Sequence, residues 1–252
     1  GPATLHIAAS PGAALLQAWG PGAGAAIEAA PALIGMLDEP DQLVPHHAIL
    51  RDLVRRNPGL RLPRSRRLLE ALVPAILEQK VTGVEARRSF RALVARHGEP
   101  APGPVGLRLQ PSAQTLAALP YPAYHVLGVE RRRADVIRAA SAMASRIEAA
   151  ASPQDAGRLL RAITGIGPWT TAEVLRIAWG DPDALSLGDY HLPNLVAWAL
   201  AGEARADEAR MLQLLEPYLG QRGRVQRLLE ASTSLRIPRF GPRMAPRSIA
   251  RI

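Results

Sequence analysis

Apolar residues recur every three or four positions along most of the chain after Ser65, which is the spacing of a buried helix face. The first series consists of Leu69, Leu72, Val73, Ile76 and Leu77. Further series predict helices over residues 86–93, 134–147, 192–200, 206–215 and 222–231. Pro74 interrupts the first series, so we expect a kink or a restart of the helix there. The chain is therefore predicted to be mainly α-helical.

The first 30 residues follow a different pattern, with many Ala, Gly and Pro residues. The segments LHIAA and ALLQAW are short apolar runs near turn-forming residues, which favours strands. We therefore expect a short N-terminal β or α/β piece ahead of the helices.

Two glycines mark a tight turn between two predicted helices. Upstream of the turn, Ser152 can cap a helix, Pro153 can occupy its first position, and an acid follows three residues after the cap. Gly165 and Gly167 can adopt the backbone angles of a tight turn, and Pro168 can open the next helix. The pattern predicts two helices joined by a hairpin.

The helix after the hairpin carries a tryptophan away from its apolar face. The buried stripe is predicted to contain Thr171, Val174, Leu175 and Ala178, and the opposite side Trp169, Ala172, Glu173 and Arg176. The unpaired N–H groups at the start of this helix, together with its dipole, can bind an anion such as a DNA phosphate. A plain helical hairpin with a half-exposed tryptophan is the alternative interpretation.

An isolated aspartate, Asp189, lies 20 residues beyond Trp169. The hairpin, Trp169 and Asp189 together resemble the helix-hairpin-helix DNA glycosylase superfamily, and within it the bacterial 3-methyladenine DNA glycosylase II type. The resemblance implies that Gly165, Gly167 and Thr170 bind the DNA backbone and that Asp189 is catalytic. A carboxylate there can stabilise an oxocarbenium-like transition state and orient water. Capping of the following helix is the alternative role for Asp189, and the two roles are compatible.

Two further positions carry implications of the resemblance. Bifunctional members, which also cut the strand, have a catalytic lysine where this chain has Trp169, so the resemblance implies a monofunctional enzyme. The segment ALVPAILEQKVTG is similar to a family element whose loop enters the DNA where the base has left. Its matching residues are Gln79 and Lys80, and Lys80 takes the position of the wedge. A solvated lysine at a helix end is the alternative.

The flipped base needs a pocket, for which Trp169 is the candidate wall, because an electron-poor alkylated purine stacks well on an indole. Glu173 shares the face of Trp169 and stands where a well-known family member has a tyrosine. We expect Glu173 to hydrogen-bond a base edge or the water, which shifts preference away from purely cationic alkylpurines. A solvated Glu173 paired with Arg176 is the alternative. Tyr124 and Tyr190 are further pocket candidates.

The resemblance also implies how the chain is divided. One helical lobe runs over residues 67–183 and carries the hairpin. The other combines residues 43–66 with residues 184–252, and residues 1–42 form the shortened N-terminal β or α/β piece. DNA and the flipped base are expected in the cleft between the lobes, with Asp189 at its mouth.

Metal chemistry has little support in the sequence. The chain contains no cysteine, and no cluster of His, Asp and Glu has metal-ligand spacing. The resemblance implies that the hairpin carbonyls of Arg161, Ile163 and Gly165 hold a monovalent cation, Na⁺ or K⁺. No other cofactor is expected.

The charge favours a polyanionic partner. Lys and Arg outnumber Asp and Glu by 31 to 22, the sequence pI is about 11.1, and Lys80 is the single lysine. A GC-rich genome, which raises arginine content, is the alternative explanation. Two groups of arginines can follow phosphates or simply be solvated. They are Arg131–Arg133 and, in the C-terminal tail, Arg236, Arg239, Arg243, Arg247 and Arg251.

The resemblance implies a monomeric, cytoplasmic, nucleoid-associated bacterial enzyme that acts on double-stranded DNA and not at a membrane. We expect a monofunctional DNA glycosylase that removes alkylated purines in base excision repair. A glycosylase for deaminated or oxidised bases is one alternative. The other is a DNA-binding module without catalytic activity that senses lesions.

Overall fold

The computed structural model describes residues 1–10 and 12–232 together with Leu235, Pro238, Ala245 and Ile249. Two strands, β1 (Thr4–Ser10) and β2 (Ala13–Trp19), come first. The helices that follow are α1 (Ala23–Leu33), α2 (Ala48–Arg56), α3 (Leu68–Leu77), α4 (Gly83–His97), α5 (Ala113–Ala118), α6 (Tyr121–His125), α7 (Arg131–Ala142), α8 (Ala144–Glu148), α9 (Pro153–Arg161), α10 (Pro168–Ala178), α11 (Leu192–Ala201), α12 (Glu208–Leu215) and α13 (Arg222–Ala231). The mainly α-helical class is confirmed.

The N-terminal piece is an antiparallel hairpin with a helix beside it. β1 pairs with β2 over their full lengths, from Thr4 opposite Trp19 to Ser10 opposite Ala13. The helix α1 packs against both strands. The expectation of a short α/β piece is therefore confirmed. α1 itself was not predicted, because its Ala- and Gly-rich sequence has no clear apolar periodicity.

Two hydrophobic cores hold the helices together. The first is built from α3 to α10 and includes Leu72, Ile76, Leu160 and Val174. The second combines α2 with α11, α12 and α13 through Leu50, Val196, Met211 and Val225. Burial of each large apolar side chain of this kind contributes about 1.5–3 kcal/mol to the stability of the folded protein. Along the chain, the change from the first core to the second falls between Ala184 and Leu185.

The helix predictions hold in most places. The expected helices over residues 192–200, 206–215 and 222–231 correspond to α11, α12 and α13. Of the kink or restart expected at Pro74, the restart is wrong, since α3 runs through this residue without a break, and the kink stays a prediction. The helix expected over residues 134–147 begins earlier, at Arg131, and divides at Met143 into α7 and α8.

The segment between α10 and α11 is anchored to the start of α13. Asp183 Oδ1 accepts hydrogen bonds from the backbone N–H groups of Gly220 and Arg222 at 2.9 and 3.0 Å. Gly223 lies so close to Ala184 that a Cβ on it would be 2.5 Å from the Ala184 carbonyl oxygen. These contacts fix the segment that carries Asp189 against the second core.

Candidate active site

The hairpin between α9 and α10 is built as the sequence predicts. Ser152 Oγ accepts from the N–H of Asp155 at 3.1 Å and caps α9. Gly165 has φ of +95°, and a Cβ there would lie 2.4 Å from Val136 Cγ2 on α7. Only glycine meets both conditions, the left-handed backbone and the close approach. Gly167 is extended and serves as the N-cap of α10, which Pro168 opens.

The start of α10 is suited to an anion. The Thr171 N–H closes the first turn by donating to the Gly167 carbonyl at 3.0 Å. The N–H groups of Trp169 and Thr170 precede that bond and have no acceptor within the helix. They lie at the positive end of the helix dipole, which favours a phosphate. The Thr170 side chain is buried and accepts from Gln79, so its backbone N–H is the group suited to DNA.

The faces of α10 agree with the prediction except at one position. The stripe formed by Thr171, Val174, Leu175 and Ala178 is buried. Ala172 was expected on the opposite side and is buried as well, because α3 packs closely on α10. Trp169 is half-buried.

Asp189 is held by hydrogen bonds on both carboxylate oxygens. Oδ1 accepts from the N–H groups of His191 and Leu192 at 2.7 and 2.8 Å, which caps the start of α11. Oδ2 accepts from the indole N–H of Trp169 at 3.1 Å. The structure thus joins the two residues that the sequence separates by 20 positions. The carboxylate has a fixed orientation, and Oδ2 keeps a lone pair for a further partner.

The Asp189 N–H donates to the carbonyl of Ser186 at 3.2 Å, and Ser186 belongs to a polar cluster that also contains Glu173, Arg176, Gln226 and Glu230. The Glu173 carboxylate pairs with Arg176 and accepts from Ser186 Oγ at 2.5 Å. Arg176 also contacts Glu230 of α13 at 2.9 Å. The Glu173 side chain is only 12% exposed, so the solvated glutamate of the alternative interpretation is wrong, although the pairing with Arg176 is present. Contact of Glu173 with a base stays a prediction.

The buried surroundings and the carboxylates of this cluster shift the pKa of two residues, Arg176 and the nearby Glu78. Burial, which would lower the pKa of Arg176, is outweighed by the carboxylates of Glu173 and Glu230, and these hold that pKa above its usual range. Burial raises the pKa of Glu78, which follows the last residue of α3, and the negative charge of Glu173 raises it further. The site therefore contains one firmly charged cation among several carboxylates.

The loop after α3 is attached to the hairpin. Gln79 Nε2 donates to the Gly165 carbonyl at 3.0 Å and to Thr170 Oγ1 at 2.9 Å. Lys80 follows, exposed and with φ of +57°. The structure therefore brings Gln79, which precedes Lys80, into contact with Gly165 and Thr170 at the hairpin. Their contacts with DNA stay predictions.

The two tyrosine candidates differ in their surroundings. Tyr124 is fully buried in the first core, and its hydroxyl donates to the Leu116 carbonyl at 2.7 Å. Burial raises the Tyr124 pKa far above its usual value. Tyr124 as a pocket wall is therefore wrong, and its i+3 spacing from Leu127 is the signal that indicated a core position. Tyr190 is 71% exposed beside Asp189, with its ring edge-on to His191.

The hairpin carbonyls expected to hold a monovalent cation are partly in use. The Gly165 carbonyl accepts from Gln79, and the Ile163 carbonyl accepts from the Ile166 N–H at 3.0 Å. A carbonyl oxygen has two lone pairs, so these hydrogen bonds do not prevent the Gly165 and Ile163 carbonyls from binding a cation as well. The cation stays a prediction. Within the described residues, no group of three or more His, Asp or Glu side chains is placed to hold a metal.

The expected arginine surfaces have different outcomes. Arg133 is buried and donates to the Leu77 carbonyl at 2.7 Å, so it does not face solvent or DNA. Arg131 lies over the Tyr121 ring at 4.2 Å. The tail residues Arg236, Arg239, Arg243, Arg247 and Arg251 lie outside the described residues. Across residues 1–10 and 12–232, none of the helices combines the length and apolarity that crossing a bilayer requires.

Comparison with known proteins agrees with this geometry. No protein-family model matches the sequence. The chain is 32% identical over 146 residues to the "Probable bifunctional transcriptional activator/DNA repair enzyme AlkA" of Mycobacterium tuberculosis H37Rv. This match covers 57% of the chain and 29% of that relative. The chain therefore matches less than a third of the curated relative's length.

Solved structures match over most of the chain. The 3-methyladenine DNA-glycosylase from Archaeoglobus fulgidus has a TM-score of 0.72 and 19% identity, covering 90% of this chain and 81% of that one. MBOgg1 in complex with a low affinity DNA ligand has a TM-score of 0.71 and 16% identity, covering 89% and 80%. The prediction from the hairpin and Asp189 is thus confirmed at the level of architecture: this chain has the helix-hairpin-helix DNA glycosylase fold.

Proposed function

We propose that this protein is a monofunctional DNA glycosylase that hydrolyses the N-glycosidic bond of alkylated purines in duplex DNA. The observation that carries the proposal is the hydrogen bond between Trp169 and Asp189, which lie beside the hairpin in this fold. An aromatic wall for a base and a carboxylate for the sugar are thereby adjacent. The AlkA match and the likeness to a 3-methyladenine DNA-glycosylase support the same substrate class.

In this proposal Asp189 acts on the sugar. Departure of the base builds positive charge on the deoxyribose, and an oriented carboxylate stabilises that charge most when it needs no reorganisation. The N–H groups of His191 and Leu192 and the Trp169 indole provide the orientation. The same carboxylate can orient or deprotonate the attacking water.

The DNA is held by its backbone. A phosphate binds the first turn of α10, and the target nucleotide leaves the stack to reach Asp189. Lys80 fills the space that the nucleotide leaves. We propose that the protein performs this reaction as a monomer in the cytoplasm, on the nucleoid.

Strand cleavage is not part of the proposal. A Schiff base requires an amine at the anomeric carbon. The residue at the hairpin is Trp169, and the single lysine of the sequence, Lys80, lies on the loop after α3. The reaction therefore ends at the abasic site.

The test is single-turnover base release from duplexes that carry 3-methyladenine-type lesions, 7-methylguanine, ethenoadenine, hypoxanthine or uracil. The wild type is compared with Asp189→Asn, which keeps an acceptor for the α11 cap but removes the charge. We expect release of alkylated purines by the wild type and none by the folded, DNA-binding variant. Duplex binding without release of any of these bases would refute the proposed glycosylase activity and favour a lesion-binding module.

The polar cluster favours a second candidate, a glycosylase for deaminated or oxidised bases. Glu173 and Arg176 are linked to Asp189 through Ser186, whose side chain donates to Glu173 and whose carbonyl accepts from the Asp189 N–H. Such donors and acceptors suit a deaminated or oxidised base, whereas a second aromatic ring would suit an alkylated purine. Release of hypoxanthine or uracil, with no release of 7-methylguanine, in the same experiment would decide for this candidate.

A further inference from the structure

We infer that Gln79 is a positioning residue that ties the Lys80 loop to the DNA-binding hairpin, and not a side chain that contacts DNA. The inference deepens the proposed function and rests on it for one assumption, that Lys80 enters the DNA stack. It concerns how far Lys80 can reach while the hairpin holds a phosphate.

The Gln79 side chain is used within the protein. Both hydrogens of its amide nitrogen have acceptors, the Gly165 carbonyl at 3.0 Å and Thr170 Oγ1 at 2.9 Å. One acceptor lies in the hairpin and the other in the first turn of α10. These residues are 86 and 91 positions away in the sequence, so the amide connects separate parts of the chain. A glutamine that contacted DNA would have to give up these bonds.

The helix α7 contacts both the hairpin and the end of α3. Val136 packs against Gly165, which holds the hairpin. One turn earlier on α7, Arg133 donates to the carbonyl of Leu77, the last residue of α3. Arg133 is 4% exposed, and burial lowers its pKa. One helix therefore fixes both the hairpin and the end of α3 from which the loop departs.

The loop itself has a strained conformation at the residue in question. Lys80 has φ of +57°, a backbone region that residues other than glycine rarely adopt. Such a conformation costs about 1 kcal/mol or more and persists where the surroundings impose it. The Gln79 bonds and the capping box that starts α4, between Thr82 and Glu85, hold the loop on both sides of Lys80.

The consequence is a fixed geometry between the phosphate contact and the wedge. When the hairpin binds a phosphate, Lys80 can enter the base stack only at a fixed distance from that phosphate. Loss of the Gln79 bonds should therefore weaken insertion and leave the phosphate contact in place.

The test uses a duplex with 2-aminopurine beside a tetrahydrofuran abasic site, whose fluorescence rises when the wedge disturbs stacking. Gln79→Met keeps the length of the side chain and removes both donors. Thr170→Val removes one of the two acceptors, and it replaces Gln79→Met as the test variant if Gln79→Met does not fold. The matched control is Gln110→Met, because Gln110 also donates its amide to a backbone carbonyl of the first core, that of Leu69, at 3.3 Å, but not to the hairpin.

We expect Gln79→Met to lower the fluorescence gain about tenfold, with the dissociation constant for DNA changed less than about threefold. Thr170→Val should lower the gain partly, and Gln110→Met should not. In a Lys80→Ala background, which lacks the wedge, Gln79→Met should leave the dissociation constant for DNA unchanged, because it acts through Lys80.

Three results would overturn the inference. The first is an unchanged fluorescence gain in both Gln79→Met and Thr170→Val, and the second is an equal loss of fluorescence gain in Gln110→Met. The third is a loss of DNA affinity when Gln79→Met is added to Lys80→Ala, which direct DNA contact predicts. A wild type that gives no fluorescence gain would overturn it too. The assay needs no bond cleavage. Fluorescence gain without release of any base would therefore refute the proposed function and leave this inference standing.

Discussion

Replacing Trp169 with phenylalanine removes one hydrogen bond and keeps an aromatic face. The lost bond joins the indole N–H to Asp189 Oδ2 at 3.1 Å. The bonds from His191 and Leu192 to the other oxygen remain, so the α11 cap is preserved. What changes is the freedom of the carboxylate to turn away from the position in which we propose that it stabilises the sugar.

The size of the effect follows from the charge of the acceptor. A hydrogen bond to a charged group contributes about 1.5–3 kcal/mol net, and the lower end suits a half-buried pair. Since about 1.4 kcal/mol corresponds to a tenfold change in rate, we expect base release to slow about tenfold. The loss should be smaller than that in Asp189→Asn, which removes the charge itself.

The assay is single-turnover release of 7-methylguanine at saturating enzyme, with the dissociation constant for abasic-site DNA measured in parallel. Trp179→Phe is the matched control at the other end of α10. Among the described residues the Trp179 indole N–H is buried without a hydrogen-bond partner, so its removal should leave the rate unchanged. Thermal unfolding of both variants checks that each is folded.

One result would refute the reasoning: base release by Trp169→Phe as fast as that by the wild type, with Asp189→Asn inactive. The indole N–H would then play no part in orienting Asp189, and Trp169 would act by stacking alone.

Three further predictions concern the proposed lack of lyase activity, the hairpin and the buried ion pair between Asp38 and Arg224. Borohydride should trap no covalent DNA adduct, and Lys80→Ala should give the same result; an adduct would contradict the monofunctional reaction. Gly165→Ala should cost about 1–3 kcal/mol in urea unfolding and weaken DNA binding, whereas Gly167→Ala, with open space around its Cβ, should unfold like the wild type. Although burial raises it, the Asp38 pKa is held below its usual value by Arg224, so this pair should stabilise the fold above pH ~4 and lose its effect as acid protonates Asp38. Asp38→Asn should therefore be less stable at pH 7 and show a flatter decline in acid.

The hairpin could be predicted from sequence because its requirements are local. Gly165 and Pro168 are set by backbone angles, and Ser152 by a cap three residues from its partner, so neighbours in the chain reveal them. Asp189 was predicted through its distance from Trp169 in the resembling family. Its bond to the indole was not, because periodicity says nothing about contacts across a turn between two helices.

The misplaced candidates share a physical cause. Tyr124 carries a polar hydroxyl that suits a pocket, but its ring fills the first core and the hydroxyl finds a carbonyl there. Arg133 looks like a DNA contact by residue type, yet it bonds a backbone carbonyl inside the protein. Polar residue types predict the need for a partner, and tertiary packing decides whether that partner is protein or ligand.

The second core determines the order in which parts of the chain can fold during synthesis. It joins α2 to α11 and α13, and the buried pair of Asp38 and Arg224 links residues 186 positions apart. The first core uses a continuous stretch, so its contacts close shorter loops, which lowers their entropic cost. On a ribosome, the hairpin can be complete while α13 is still unmade. The segment around Asp189 is anchored to α13 only when Gly220 and Arg222 arrive, so this segment is fixed against the second core after the hairpin is complete.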